Sequence, residues 1–235
     1  WCRPAAADTR TVLVGLLPLA RTKEHFTLNA GQPSFALLDY DPPAGQAPKS
    51  IPELWAIVTE VCPALATAGV LAWPSGSSCL HDADGNELRG IAGAHLYVMV
   101  ADATDVPRVA HALDEELWLR GHGRVEVSAN GALLVRGLFD LSVHQPGRLI
   151  FSGAHCHAPV EQRRGEPLIL SDGGFLNTRA ALPSNPERTD RVRALVDKAK
   201  AEATPRAVQV RAEWESVRIK DAQTKAIALG ADPRQ

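Results

Sequence analysis

Phe35-Ala36-Leu37-Leu38-Asp39-Tyr40-Asp41 is an apolar run that ends in two acids separated by one residue. The run reads as a buried strand, on which successive side chains point to opposite faces. Asp39 and Asp41 are therefore expected to share one face of a sheet. Two carboxylates so close repel each other, and a divalent cation relieves that repulsion. Hard, oxygen-seeking Mg²⁺ or Mn²⁺ suits the pair best. The same residues also satisfy a plainer reading, in which Asp39-Tyr40-Asp41-Pro42-Pro43 merely ends a strand, since Asp and Pro are turn formers. The rest of the chain has to decide between them.

Downstream, Ser50-Ile51-Pro52-Glu53 has the spacing of a capping box, with proline in the first turn where its missing N–H is harmless. Leu54, Ile57, Val58, Val61 and Leu65 then recur at helical spacing, and Gly69 precedes a second buried strand at Val70-Leu71-Ala72-Trp73. A small polar loop, Pro74-Ser75-Gly76-Ser77-Ser78, follows directly. Such a loop can line an anion site or be a plain turn. His81 to Gly90 reads as a hairpin tip or exposed loop. Gly93 to Val100 is a third strand, with His95, Tyr97 and Met99 on one face. His95, preceded by two small residues, has room above it for a ligand, although a hydrogen-bonded core histidine fits the pattern too.

Asp102 to Arg120 carries a helical stripe and is followed by Gly121 as a C-terminal cap. Val125–Ser128 and Leu133–Asp140 are expected to pair as a hairpin across Asn130-Gly131. The second of these strands ends at Asp140, a third acid at the end of an apolar run. Arg148 to Phe151 reads as a short strand led by arginine, and His155-Cys156-His157 follows. The chain is then loop-rich to about Leu182, with one plausible strand at Pro167–Leu170. Upstream, Thr11 to Leu19 is a strand or a buried helix start, and Arg21-Thr22-Lys23 reads as a solvated basic cluster. From Ser184 onward, two helical segments broken near Pro205 make up the tail. Domain boundaries are thus expected at 1–183 and 184–235.

Composition bounds what such a chain does. Its 235 residues are 45% hydrophobic and 22% charged, with a formal net charge of −2, so overall charge argues neither for nor against nucleic acid. No apolar run approaches the ~18 residues of a membrane span. The start lacks the form of a signal peptide, and Trp1 in place of Met reads as the start of a fragment. Cys2, Cys62, Cys79 and Cys156 are scattered without a C-x-x-C pair, a usage that suits a reducing cytoplasm. Aromatic residues, at 5%, are few for a protein that grips single strands mainly by stacking.

Taken in order, these motifs resemble the archaeo-eukaryotic primase superfamily of primases and primase-polymerases, in the form found in bacteria, phages and plasmids. Leu38-Asp39-Tyr40-Asp41 matches the acid-x-acid motif, Gly93-Ala94-His95-Leu96-Tyr97 the histidine strand, Ser75-Gly76-Ser77-Ser78 its serine part and Phe139-Asp140 the third motif. Asp140 to Leu149 looks like a segment of primases from mobile elements. The resemblance spans roughly Leu37 to Pro159, with one departure: residues from Cys79 to Ala92 separate the serine loop from the histidine strand. It implies an α+β fold, an RRM-like catalytic palm joined to a smaller α/β lobe that holds the template, followed here by a C-terminal helical extension. It implies DNA primase or DNA-directed polymerase activity on a single-stranded DNA template, with NTPs or dNTPs as substrates and a helicase domain or protein as a possible partner. Asp39, Asp41 and Asp140 would hold two Mg²⁺ or Mn²⁺ ions. His95, Arg148, Ser75 and Ser77 would grip the triphosphate.

Three rivals remain open. His155 and His157 have the His-x-His form by which rolling-circle nicking endonucleases hold metal. Such an enzyme also needs a tyrosine nucleophile, usually on a helix, whereas Tyr40 and Tyr97 both fall on expected strands. Cys79, His81, Cys156 and His157 are ligand types that suit zinc, at spacings that match no compact zinc motif. A DNA-binding or replication-initiation module without catalysis is the third.

Overall fold

The structure, a computed structural model, describes residues 11–14, 17–20, 24–148, 150, 153–154 and 156–229. The chain is α+β and divides into two compact units, one of residues 1–116 and 138–185, the other of 117–137 and 186–235.

In the first unit β1 (Thr11–Val14) and β2 (Leu17–Ala20) pair antiparallel, which resolves the opening apolar stretch as strand. β3 (Ser34–Tyr40) leads to α1 (Ile51–Val61), and the capping box forms as expected: Glu53 N–H donates to Ser50 Oγ, and the Glu53 carboxylate accepts from Ser50 N–H. A 3₁₀ turn over Pro63–Thr67 takes Leu65 out of the helix proper. Then come β4 (Gly69–Pro74), a small hairpin of β5 (Leu80–His81) and β6 (Glu87–Arg89), and β7 (Ala94–Val100). Asp102 caps a 3₁₀ turn ahead of α2 (Val106–Leu119).

β3, β4 and β7 form an antiparallel sheet in which β7 lies between the other two, so β3–α1–β4 is a split β-α-β unit. Alternation sorts the side chains. Ala36, Leu38, Val98 and Val100 face a small apolar cavity, which they line together with Cys62, Leu65, Val109, Ala110 and Leu113 from the helical side. The opposite face carries Phe35, Leu37 and Asp39 of β3 against Met99, Tyr97 and His95 of β7, in register. Phe35 at one end of this second face is 61% exposed, whereas Leu37 and His95 on the same face are buried.

On α2, Asp114 is largely buried, and its Oδ1 has no hydrogen-bond partner among the described residues. Burial, with Glu115 adding repulsion, pushes its carboxyl up to about 6. The folded state therefore binds a proton that the unfolded chain has already lost between pH 4 and 6, so stability falls as pH rises through that window. Asp114→Asn is expected to stabilise the protein at pH 7 by on the order of 2 kcal/mol, with the gain vanishing below pH 4. Urea melts of both proteins at pH 4 and 7 check it.

In the second unit β8 (Arg124–Val127) and β9 (Leu133–Arg136) form the expected hairpin, with Gly131 in the left-handed region at its turn. It packs on the tail helix. A Cβ on Gly131 would lie 2.6 Å from the Ala207 carbonyl oxygen, so only glycine allows that approach. Two sequence expectations change here. The hairpin belongs with the tail rather than with residues 1–116. The tail from Pro186 to Ala228 is one 43-residue helix with Pro205 inside it, not two helices. Proline removes one backbone hydrogen bond, and the strong helix formers on both sides carry the helix through.

Back in the first unit, residues 138–185 add a 3₁₀ turn at Leu141–His144, β10 (Glu161–Gln162), β11 (Leu168–Asp172) and α3 (Thr178–Ala181). β11 pairs with β4, completing the order β11-β4-β7-β3, and β10 joins β5 and β6 in a three-stranded sheet. In the first unit the longer helix α4 has no part; it is the tail helix Pro186–Ala228 just described. The strand expected from Arg148 to Phe151 does not form at the described positions, Arg148 and Ile150.

Candidate active site

Asp39 and His95 stand directly opposite each other on β3 and β7, and the histidine Nε2 lies 3.2 Å from Asp39 Oδ1. The other ring nitrogen, Nδ1, is 3.2 Å from the Tyr97 hydroxyl, two residues along on the same face. Trp73 of β4 is the next residue in that row, opposite His95 on its other side. An acid, a buried imidazole and an indole thus cross this face of the sheet at successive strands.

Asp41 departs from the expected alternation, because β3 ends at Tyr40. Tyr40 is buried, and its hydroxyl accepts a hydrogen bond from Lys49 N–H. Asp41 follows just past the strand, beside Gly93. A Cβ at Gly93 would come within 2.5 Å of the Tyr40 carbonyl oxygen, 3.1 Å of Ser75 Oγ and 3.2 Å of Asp41 Oδ1. Glycine at that position is what lets the serine loop, the acids and the histidine strand meet.

Asp140 is not at the end of a strand as the sequence pattern suggests. β9 stops at Arg136, and Asp140 instead caps the 3₁₀ turn, its carboxylate accepting from Ser142 N–H and Ser142 Oγ at 2.8 Å each. It nevertheless reaches the first two acids, since Asp140 N–H donates to the Asp39 carbonyl at 2.8 Å. Asp41 is exposed, yet its carboxyl is raised by partial desolvation first, and then by the negative charges of Asp39 and Asp140. Three acids are within electrostatic reach of one another, with His95 and Arg89 acting against that shift.

A second bond holds this turn on β3. His144 is buried, with Nε2 2.7 Å from the Leu37 carbonyl oxygen and Nδ1 3.2 Å from that of Leu141. Burial lowers its pKa, so the neutral ring has one proton to donate, and the shorter contact puts it on Nε2. Asp140 and His144 therefore staple the turn to Asp39 and Leu37. His144→Leu strands a buried carbonyl and is expected to cost about 1–3 kcal/mol. A thermal melt checks this. Any activity that depends on Asp140 should drop with it.

The serine loop is joined to this site in spite of the intervening residues. Cys79 leaves the loop at φ 59°, the chain runs out through β5 and back through β6, and Cys79 N–H closes the excursion on the Gly90 carbonyl. Ser75 N–H then bonds the Gly93 carbonyl, and Ala92 N–H bonds Ser78 Oγ. Ser75 and Ser78 are buried, with hydroxyls 3.0 Å apart, while Ser77 is exposed and its hydroxyl is 3.5 Å from that of Ser75. Gln162 latches the outside of the loop, donating to the carbonyls of Gly76 and Ser78.

Arg148 is exposed, and no hydrogen bond or ion pair among the described residues ties its side chain to the acids. A different arginine, which sequence reasoning missed, stands over the sheet. The Arg164 guanidinium carbon is 4.2 Å from the centre of the Trp73 ring, and Nη1 donates to the Pro74 carbonyl. Its charge acts on Tyr97, so it overlooks the row that holds His95.

For a cation, the oxygen-rich donor set suits Mg²⁺ or Mn²⁺. Asp41 has no side-chain hydrogen bond among the described residues, Asp39 leaves Oδ2 free of His95, and the Asp140 oxygens keep lone pairs beyond the two that Ser142 uses. As the side chains lie, no three His, Cys, Asp or Glu groups among the described residues are gathered closely enough to hold a metal. That applies equally to the zinc set of Cys79, His81, Cys156 and His157. His81 Nδ1 lies 3.2 Å from the Cys79 carbonyl oxygen, and burial raises the Cys79 thiol. His155, needed for the His-x-His reading, lies outside the described residues, as do Cys2, the Arg21-Thr22-Lys23 cluster, Leu149 and Phe151. No described helix is long and apolar enough to cross a membrane. No family model, curated protein or solved structure matches the chain.

Proposed function

We propose that this protein is a primase-polymerase catalytic domain that joins nucleotides on a single-stranded DNA template in replication of a mobile element. The observation that carries the reading is the meeting of Asp39, Asp41 and Asp140, the third acid arriving from about a hundred residues away and bonding through its N–H to the Asp39 carbonyl. The split β-α-β unit and the helices on one face support an RRM-like palm; β11, on the β4 edge, is the element that departs from it. A palm of this kind serves unrelated activities, so the acids and His95 bear the functional argument.

In this reading Asp39, Asp41 and Asp140 hold two Mg²⁺ or Mn²⁺ ions. When bound, such ions lower the pKa of a 3′-hydroxyl and offset charge on a triphosphate. His95, oriented between Asp39 and Tyr97, faces the phosphates from the sheet, with Ser75 and Ser77 at the loop beside it. NTPs or dNTPs are the substrates, and a helicase domain or protein the natural partner.

The test is synthesis on unprimed and primed single-stranded DNA with Mg²⁺ or Mn²⁺, labelled ribo- and deoxynucleotides, and Asp140→Ala as control. Product that disappears in the variant supports the proposal and reports the sugar preference. A folded protein that extends neither template refutes it.

A further inference from the structure

We propose that Arg164, spread on the Trp73 indole, is the cation that grips the phosphate chain of the incoming nucleotide. This rests on the function just proposed. Three observations point to it.

The first is the state of the guanidinium. Arg164 is half-buried, and among the described residues it has no carboxylate partner, only the Pro74 carbonyl and the indole face. Its neighbour Arg163 is different, being exposed and paired with Glu161 at 3.0 Å. A guanidinium has five N–H donors in a fixed fork, so one bond to Pro74 leaves most of them for an anion. Contact with the Trp73 ring, whose centre lies 4.2 Å from the guanidinium carbon, restricts that fork in advance.

The second is position. Asp39, His95 and Trp73 are consecutive neighbours across β3, β7 and β4. Two strand spacings separate the first from the last, or roughly 10 Å. Acid, imidazole and guanidinium therefore lie along a track of the length of a triphosphate, with the carboxylates at one end and Arg164 at the other.

The third is how the arginine is carried. Gln162 and Arg164 sit on one segment, and both bond to backbone carbonyls in and beside the serine loop, at Gly76, Ser78 and Pro74. Loop hydroxyls and guanidinium are thus set as a unit. Arg148, exposed and free of such supports, lacks this preorganisation.

The experiment is equilibrium binding of a deoxynucleoside triphosphate, its monophosphate and single-stranded DNA to the whole protein, with Ca²⁺ replacing Mg²⁺ to prevent turnover. Thermal melts confirm that each variant is folded. Arg164→Ala is expected to weaken triphosphate binding by about 50-fold, as loss of a bidentate charged contact implies. Monophosphate and DNA binding should change by less than about threefold. Arg164→Lys keeps the charge but loses the fork and the stack, and should recover only part of the loss. Arg163→Ala should bind like the wild type. Equal triphosphate binding by wild type and Arg164→Ala overturns the inference and leaves the proposed function standing. So does a loss confined to DNA, which would assign Arg164 to the template backbone. A wild type that binds no nucleotide removes both.

Discussion

Asp41→Asn is expected to abolish nucleotide incorporation while making the protein more stable. The two effects come from one cause. Asp41 is exposed, but partial desolvation and the charges of Asp39 and Asp140 hold its carboxyl above its ordinary range, so its charge is unfavourable in the folded protein. Asparagine keeps the shape and removes that charge, and with it the ligand that the proposed function gives to a cation. A drop of about 10³-fold in synthesis corresponds to ~4 kcal/mol of barrier. The melting temperature should rise at pH 7, and the difference should shrink as pH falls and the wild-type carboxyl takes up its proton. Mg²⁺ or Mn²⁺ gives a readout apart from activity. On the proposed function the folded state alone binds the cation, so millimolar cation should raise the melting temperature of the wild type, and should do so less in Asp41→Asn. Equal melting temperatures for the two proteins without cation, and equal shifts with it, would sink this account of the acids.

Much of the site's frame was legible because it rests on local patterns. The apolar run in Phe35–Asp41 and the pattern of Gly93–Val100 identified two strands, and alternation the shared face of His95 and Tyr97. The Ser50–Glu53 box marked the start of α1, which begins at Ile51. What failed were judgements in which tertiary contact outweighs pattern. The apolar run Leu133–Phe139 reads as one strand into Asp140, but Gly137 interrupts it. The Gly137 carbonyl accepts from Arg124, and Asp140 accepts from Ser142 N–H at the start of a 3₁₀ turn. Asp140 thus comes beside Asp39 from the cap of a turn, not from the strand end that the pattern suggests. Arg164 was missed because a cation stacked across 91 positions of sequence leaves no periodic trace. The available signal was Trp73, an indole at the end of the strand that leads into the serine loop.

Asp105→Ala should be the most destabilising single substitution in the first unit, and it should spare the chemistry. Asp105 is 2% exposed, and its two oxygens take the Arg108 fork at 2.7 and 2.6 Å. Thr178 Oγ1 donates to the same carboxylate, and Arg179 lies 3.6 Å away. Arg108 also donates to the carbonyls of Thr178 and Leu182, so one ion pair fastens α3 and the residue after it to the start of α2. Alanine leaves that fork and hydroxyl without their acceptor, and breaking a buried pair on one side costs about 3–5 kcal/mol. For a domain of this size that is a fall of roughly 10 °C in melting temperature. The Arg108 bonds hold the Asp105 carboxyl below its ordinary value. Its contribution is therefore complete above pH 4 and is lost as pH falls through the lowered value. Wild type and variant should converge in acid, the reverse of Asp114→Asn only in sign. Asp102→Ala, which removes a part-exposed cap on the same turn, should cost only about 1 kcal/mol. The network sits by the Val100 end of β7, and Asp39 pairs near the other end, roughly 17 Å away at strand rise. Measured well below its melting temperature, Asp105→Ala should therefore keep the wild-type kcat. A large loss there, in a protein shown to be folded, would mean that the acids depend on the far end of the sheet.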